Sequence, residues 1–126
     1  MSLRVFQKGE VIFREGDGAE SMFDIYWGRV GIYSSYGAEN EHLLTELRDG
    51  QFFGEMGMID HSPRSATAVA LEDDTQAEEI SEEQFTAYFQ NQPMRVLMIM
   101  RNMGNRIREQ GEELERYRAA LDAQVP

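Results

Sequence analysis

One acidic and one basic residue, close together in a glycine-containing stretch, carry the chemistry that this sequence suggests. Residues 53–66 contain Glu55 directly after Gly54, then a short apolar run, and then Arg64 nine positions after Glu55. Arg64 offers a planar fork of N–H donors that suits a phosphate, whereas the Glu55 carboxylate accepts hydrogen bonds from a donor such as a sugar hydroxyl. Gly54 allows a backbone N–H to approach a ligand closely. An anion and a hydroxyl on one small molecule indicate a nucleotide.

Three ordered motifs resemble those of the cyclic nucleotide-binding domain family. Residues 54–66 resemble its phosphate-binding cassette, residues 6–17 its opening hairpin, and residues 22–30 its next pair of strands. The family includes catabolite-activator-type regulators, cyclic-nucleotide-dependent kinases and cyclic-nucleotide-gated channels. The resemblance therefore implies a regulatory module that binds cyclic AMP or cyclic GMP, and not an enzyme.

The same resemblance implies a role for each cassette residue. Arg64 is expected to bind the phosphate, and Glu55 to accept a hydrogen bond from the ribose 2′-hydroxyl. Gly54 permits the close approach, while Ser65 and Ala66 are expected to donate backbone N–H groups to the phosphate. An ordinary salt bridge from Arg64, for example to Glu55 in the empty state, is the alternative for that arginine.

Contacts to the base are expected from the C-terminal helix. By position along that helix, Arg106 and Gln110 resemble the places from which the family reaches the purine, although both are also compatible with a solvated surface. No metal, cofactor or catalytic residue is predicted. The chain has no cysteine, and His42 and His61 lie on different predicted elements without a second ligand at metal spacing.

Charge and length limit the classes of partner. The 126 residues favour a single domain, and 12 basic against 23 acidic residues give a formal net charge of −11. This charge repels a polyanion, so nucleic acid is not expected as a direct partner. No stretch approaches the roughly 20 apolar residues of a membrane span. We therefore expect a cytoplasmic protein that does not enter a membrane.

Short alternating stretches predict that the first two thirds of the chain form β-strands. Apolar residues alternate with polar or small ones over residues 11–13, 23–25 and 30–32, which is the period of a half-buried strand. We predict a mainly β fold with flanking helices: an antiparallel jelly-roll barrel over residues 1–92 that contains the cassette, followed by a long helix over residues 93–126 of the same domain.

Two signals mark helix starts in the last third of the chain. Ser81 is followed three residues later by Gln84, which is the pattern of a capping box. Pro93 occupies a position where a long helix can begin, because the first turn of a helix does not need its missing N–H.

The long helix carries a seam of residues at alternating spacings of three and four. Such a seam suits a coiled coil, and we expect a parallel homodimer along residues 100–121. Beyond Gly111 the helix outruns a domain this small, because thirty residues span about 45 Å. The alternative is one amphipathic helix packed on its own barrel. The seam consists of Met100, Met103, Ile107, Gln110, Leu114, Tyr117 and Leu121.

Two functional classes remain open. In the first, a cyclic nucleotide binds and shifts the position of the long helix, which passes the signal to an effector protein in trans. In the second, the fold has lost nucleotide binding and serves as a protein-interaction module. The intact pair of Glu55 and Arg64 favours the first.

Overall fold

A computed structural model describes residues 2–124. Its eight strands form two antiparallel sheets of four strands each. The first sheet has the order β1 (Ser2–Phe6), β8 (Thr75–Ser81), β3 (Ser21–Trp27), β6 (Phe52–Phe53). The second has the order β2 (Val11–Phe13), β7 (Thr67–Ala70), β4 (Arg29–Ser34), β5 (His42–Arg48).

The two sheets share one hydrophobic core. Phe23 and Ile25 of β3 face Val30 of β4 and Ala68 of β7 in this core, and each is no more than 2% exposed. Phe23, Ile25 and Val30 thus lie in the core as predicted. The prediction that β3 is half-buried is wrong, because Asp24, between its two core residues, is also fully buried. The predicted jelly roll is confirmed as an open sandwich of two sheets, not as a closed barrel, because β1, β6, β2 and β5 remain at sheet edges.

Residues 2–124 also contain three helices: α1 (Glu55–Asp60), α2 (Glu82–Phe89) and α3 (Pro93–Ala123). The capping box is confirmed, because Gln84 N donates to Ser81 Oγ at 3.3 Å and Ser81 N donates to Gln84 Oε1 at 3.0 Å. The start of the long helix at Pro93 is also confirmed. Within residues 2–124, no helix combines the length and apolar character needed to cross a bilayer.

The chain divides into two compact units between Tyr88 and Phe89. The first contains the β-sandwich and α1, and the second contains α3. On α3, the seam residues Ile107, Leu114 and Tyr117 are each at least 62% exposed. Their side chains thus form an apolar stripe on the surface of the helix.

Candidate functional site

The cassette begins with a sharp turn at the end of β6. Gly54 is the N-cap of α1 and has φ of 79°, a left-handed conformation that glycine adopts without strain. A Cβ at this position would lie 2.7 Å from Arg64 Nη1. Glu55 follows as the first residue of α1 and is 3% exposed. The glycine therefore serves both the turn and the close approach of Arg64.

The end of α1 turns the chain back towards β7. His61 caps the helix in a left-handed conformation, and Ser62 N donates to Asp60 Oδ1 at 3.0 Å. Hydrogen bonds from the Ser62 hydroxyl and backbone N–H hold the pKa of Asp60 below its ordinary value. Gly57 packs against Ala19, where a side chain would collide with the Ala19 methyl group. The short helix is thus seated against the loop before β3.

The backbone of Arg64 is fixed by the turn that follows β2. Arg64 N donates to Asp17 O, and Gly16 N donates to Arg64 O, both at 2.8 Å. Asp17 in turn closes its own loop, since Arg14 N donates to Asp17 Oδ2 at 3.0 Å. These bonds set the direction in which the Arg64 side chain leaves the backbone.

The Arg64 guanidinium is buried against aromatic rings. The residue is 7% exposed, and its Cζ lies 4.1 Å from the centroid of the Phe13 ring and 6.0 Å from that of Phe23. Nη1 donates to Gly54 O at 2.7 Å. Nε is buried and has no hydrogen-bond partner among the residues that the structure describes. A buried N–H group without a partner is costly, so the site favours an added acceptor.

Electrostatics at Arg64 involve three acidic residues. Burial lowers the pKa of the guanidinium, and the charges of Glu79, Asp17 and Glu55 oppose this effect, in that order. Arginine nevertheless stays protonated in proteins. The arrangement is therefore a partly compensated, permanent positive charge. The guanidinium donates its hydrogen bond to the Gly54 carbonyl, and Glu55 acts on it through charge with less effect than Glu79.

The other predicted site residues fall into two places. Ser65 and Ala66 lie between Arg64 and β7, where Ser65 is exposed and Ala66 is 6% exposed. Arg106 and Gln110 are exposed residues of α3, which belongs to the second compact unit. The structure thus brings the cassette residues together in the sandwich unit, while contacts of Arg106 and Gln110 to a base stay predictions.

Sequence reasoning did not find the groups that surround the guanidinium. Phe13 and Asp17 reach Arg64 from β2 and the loop that follows it, and Glu79 reaches it from β8. The hairpin motif of residues 6–17 was a signal for the first two, because it contains them both. Glu79 had no signal, since its strand reads as an ordinary half-exposed one.

The inner face of the second sheet opens towards solvent at β5. Ala68, Ile32 and Thr45 are neighbours in one row across β7, β4 and β5. Ala68 is fully buried, Ile32 is half-buried and Thr45 is exposed. The burial of this row therefore decreases from β7 to the edge strand β5.

The comparison with protein families decides the assignment. Residues 3–92 match the family model described as cyclic nucleotide-binding domain. The chain belongs to the cyclic nucleotide-binding domain family. The matched segment contains the whole cassette, so the resemblance inferred from three motifs is confirmed.

Relatives in this family include regulators and kinases. The chain is 30% identical over 112 residues to the cyclic AMP receptor protein of Thermus thermophilus, covering 89% of this chain and 51% of that protein. It is 31% identical over 86 residues to cGMP-dependent protein kinase 2 of Homo sapiens, covering 68% of this chain and 11% of the kinase. The chain thus spans about half the length of the first relative and about a tenth of the second.

Solved structures of the family agree with the fold. The Thermus thermophilus catabolite activator protein matches with a TM-score of 0.78 at 30% identity, covering 90% of this chain and 53% of that chain. The cAMP-bound form of the EAL enzyme Bd1971 matches with a TM-score of 0.64 at 30% identity, covering 97% of this chain and 33% of that one. The cyclic nucleotide-binding domain fold is thus common to proteins with different additional parts.

Proposed function

We propose that this domain binds a cyclic nucleotide and that Arg64 holds its phosphate. The main support is the buried guanidinium of Arg64. Its Nε lacks a hydrogen-bond partner among the described residues, and its Nη1 donates to the neutral Gly54 carbonyl. An anionic oxygen supplies the missing acceptor and balances the charge. Glu55, which follows Gly54 directly, then accepts a hydrogen bond from the ribose 2′-hydroxyl.

The relatives support cyclic AMP and cyclic GMP as the ligands to test. A cyclic AMP receptor protein and a cGMP-dependent kinase both resemble this chain. The EAL enzyme Bd1971 is similar in its cAMP-bound and its cGMP-bound forms. We propose that the chain binds one of these two nucleotides, with Ser65 and Ala66 donating backbone N–H groups to the phosphate.

We propose that α3 transmits the binding event through a parallel homodimer. The support is the exposed seam, in which Leu114 and Leu121 are 68% and 63% exposed. If Leu114 occupies heptad position a, Glu113 and Arg118 occupy g and e, so that each Glu113 faces Arg118 of the second copy in a parallel pair. A ligand shifts the position of α3 only by as much as its affinities for the two arrangements differ.

Calorimetric titration of the chain with cyclic AMP and with cyclic GMP tests the proposal. Saturable heat with either nucleotide is expected. Arg64→Ala is expected to weaken this binding by about 2–4 kcal/mol, because it removes charge-assisted hydrogen bonds to the phosphate. Arg48→Ala, which also removes one positive charge but from the exposed strand β5, is the matched control and is expected to bind like the wild type.

Two outcomes contradict the proposal. The absence of binding heat with both nucleotides refutes it and favours the protein-interaction module. Binding that survives Arg64→Ala with a loss below about 0.5 kcal/mol, less than one neutral hydrogen bond contributes, removes the role assigned to Arg64.

A further inference from the structure

Arg64 also borders a cavity that the cassette does not explain. The cavity has a volume of about 290 Å³ and is lined by residues of β1, β2, β3 and β8 and of the loop after β2. Of the described cassette residues, Arg64 alone lines it. The guanidinium therefore has two environments: the Gly54 carbonyl at the cassette, and this cavity.

A charged network occupies the wall of the cavity. Arg4 and Glu79 both line it, and Arg4 Nη1 lies 2.9 Å from Glu79 Oε1. The second carboxylate oxygen, Oε2, accepts a hydrogen bond from Ser21 Oγ at 2.7 Å. Glu79 is thus held in place by two partners while it shares the cavity with Arg64.

The strand register explains why Arg4 and Glu79 share the face of the sheet that carries the core, although Arg4, on the edge strand, is 44% exposed. Arg4 of β1 pairs with Ala77 of β8, which is fully buried. Because side chains alternate along a strand, Arg4 and Glu79 lie on the same inner face as Ala77. The Glu79 side chain is only 31% exposed, so its charge is screened by solvent less than that of a surface glutamate.

We propose that Glu79 is an interior counter-charge of Arg64 that competes with the anionic ligand for the guanidinium, and that Arg4 sets the strength of this competition. Arg4 neutralises part of the Glu79 charge, which leaves more of the Arg64 field for the ligand. Both are positioning residues that act through Arg64. The inference rests on the proposed function, since it names what adjusts the affinity of that same site.

Arg64 and Glu79 each shift the pKa of the other in the direction that favours its charged form. Glu79 is the acid that raises the pKa of Arg64 most, ahead of Asp17 and Glu55. Arg64 is in turn among the groups that lower the pKa of Glu79, after Ser21 and Arg4. The two residues therefore stabilise each other's charged forms across the cavity.

Two substitutions that break the same ion pair distinguish this role from a merely structural one. In calorimetric titrations of the full chain with cyclic AMP and cyclic GMP, Glu79→Gln is expected to bind about fivefold tighter, because it removes a competing charge. Arg4→Gln is expected to bind about threefold weaker, because it leaves the Glu79 charge to act on Arg64 alone. If the pair only supported the fold, both variants would bind more weakly.

A matched control removes the same charge elsewhere. Glu72 pairs with Arg29 at 2.6 Å and lies outside the cavity lining. Glu72→Gln also removes one negative charge and one ion pair, and it is expected to leave the dissociation constant unchanged. A Glu72→Gln variant that tightens binding as much as Glu79→Gln overturns the inference, because net charge alone would then explain the effect.

The remaining outcomes separate the inference from the function on which it rests. A wild type that binds and a Glu79→Gln variant that binds equally or more weakly overturns the inference alone. A wild type that is silent with both nucleotides overturns the proposed function and this inference with it. If Glu79→Gln does not fold, as judged by circular dichroism, Glu79→Ala takes its place: tighter binding than the wild type supports the inference, and equal or weaker binding overturns it.

Discussion

Arg64 is held by groups that compensate only part of its charge and only some of its N–H donors. The Gly54 carbonyl accepts from Nη1, the Phe13 ring lies beneath the guanidinium, and acidic residues act on it through charge. An aromatic face attracts a cation but accepts no strong hydrogen bond. At the scale of one residue, this environment holds the side chain in place and still favours the binding of an anion.

Glu79 makes the stability of the fold depend on pH. Burial raises its pKa, but hydrogen bonds from Ser21 and Arg4 and the charges of Arg4 and Arg64 outweigh burial, so the pKa lies below the ordinary glutamate value. The unfolded chain then takes up the proton more readily. The contribution of Glu79 is therefore fully present above about pH 5 and is lost as the pH falls through the lowered folded-state pKa.

Urea unfolding across this pH range measures the effect. Glu79→Gln is expected to show a free energy of unfolding that falls less steeply between about pH 5 and about pH 3 than that of the wild type. An equally steep fall in the variant would show that other carboxylates account for the acid sensitivity.

At the scale of the elements, local signals determine where the helices begin. Ser81 and Gln84 exchange hydrogen bonds at the start of α2, and Pro93 opens α3. Both signals act within one helical turn, so they need no distant part of the chain. The same is true of Gly54, whose left-handed backbone ends β6 and starts α1.

Removing the α2 cap tests this local control. Ser81→Ala is expected to lower the free energy of unfolding by about 1 kcal/mol, because Gln84 N loses its acceptor. Thr86→Ala, at an exposed position inside the same helix, is the control and is expected to be neutral or slightly stabilising, since alanine has the higher helix propensity. Chemical denaturation gives both values, and an equal loss in the two variants would contradict the capping role.

The exposed seam of α3 predicts a dimer that one polar substitution weakens. Leu114→Ser is expected to shift the chain from dimer to monomer in light scattering, because it replaces an apolar seam residue. Ala119→Ser, on the opposite side of the heptad, is expected to remain dimeric. A wild type that is monomeric at all concentrations would refute the dimer.

The orientation of the two copies has its own test. In a parallel pair Glu113 faces Arg118 of the second copy, so Arg118→Glu is expected to weaken the dimer by placing like charges together. The double variant Glu113→Arg with Arg118→Glu restores opposite charges and is expected to recover it. If the wild type is a dimer and the double variant does not recover its stability, an antiparallel pair is favoured.

At the scale of the whole molecule, a polar contact joins α2 to the sandwich. The Tyr88 hydroxyl donates to Asp24 Oδ2 at 2.6 Å, and it lies 2.9 Å from the Tyr26 hydroxyl. Asp24 is fully buried. Burial and the hydrogen bond with Asp24 both raise the pKa of Tyr88, so the phenol stays protonated and continues to donate.

Deleting that hydroxyl is expected to destabilise the sandwich unit. Tyr88→Phe removes a donor from a buried carboxylate, and we expect a loss of about 1–3 kcal/mol in the free energy of unfolding. Tyr36→Phe, in the loop after β4 and outside the seam of α3, makes the same chemical change and is expected to have little effect. Urea denaturation of both variants provides the comparison, and equal stability of the two would contradict this contact's importance.

The sequence alone determined the identity of the cassette, the strands of the core and the start of each long helix. These features depend on residue type and short spacing. Gly54 directly precedes Glu55, Phe23 and Ile25 are two positions apart, and Ser81 comes three residues before Gln84. Each acts over a few residues, because backbone conformation and side-chain period are local properties.

The tertiary structure decided what surrounds Arg64 and whether the sheets close. Arg4 and Glu79 are 75 residues apart in the chain yet form an ion pair, and Phe13 lies under a guanidinium that comes from the loop between α1 and β7. The edge strands β1 and β5 leave the sandwich open. Residue spacing does not reveal such tertiary contacts, because the pairing of distant strands depends on the packing of the entire core. That pairing determines which charges share one cavity.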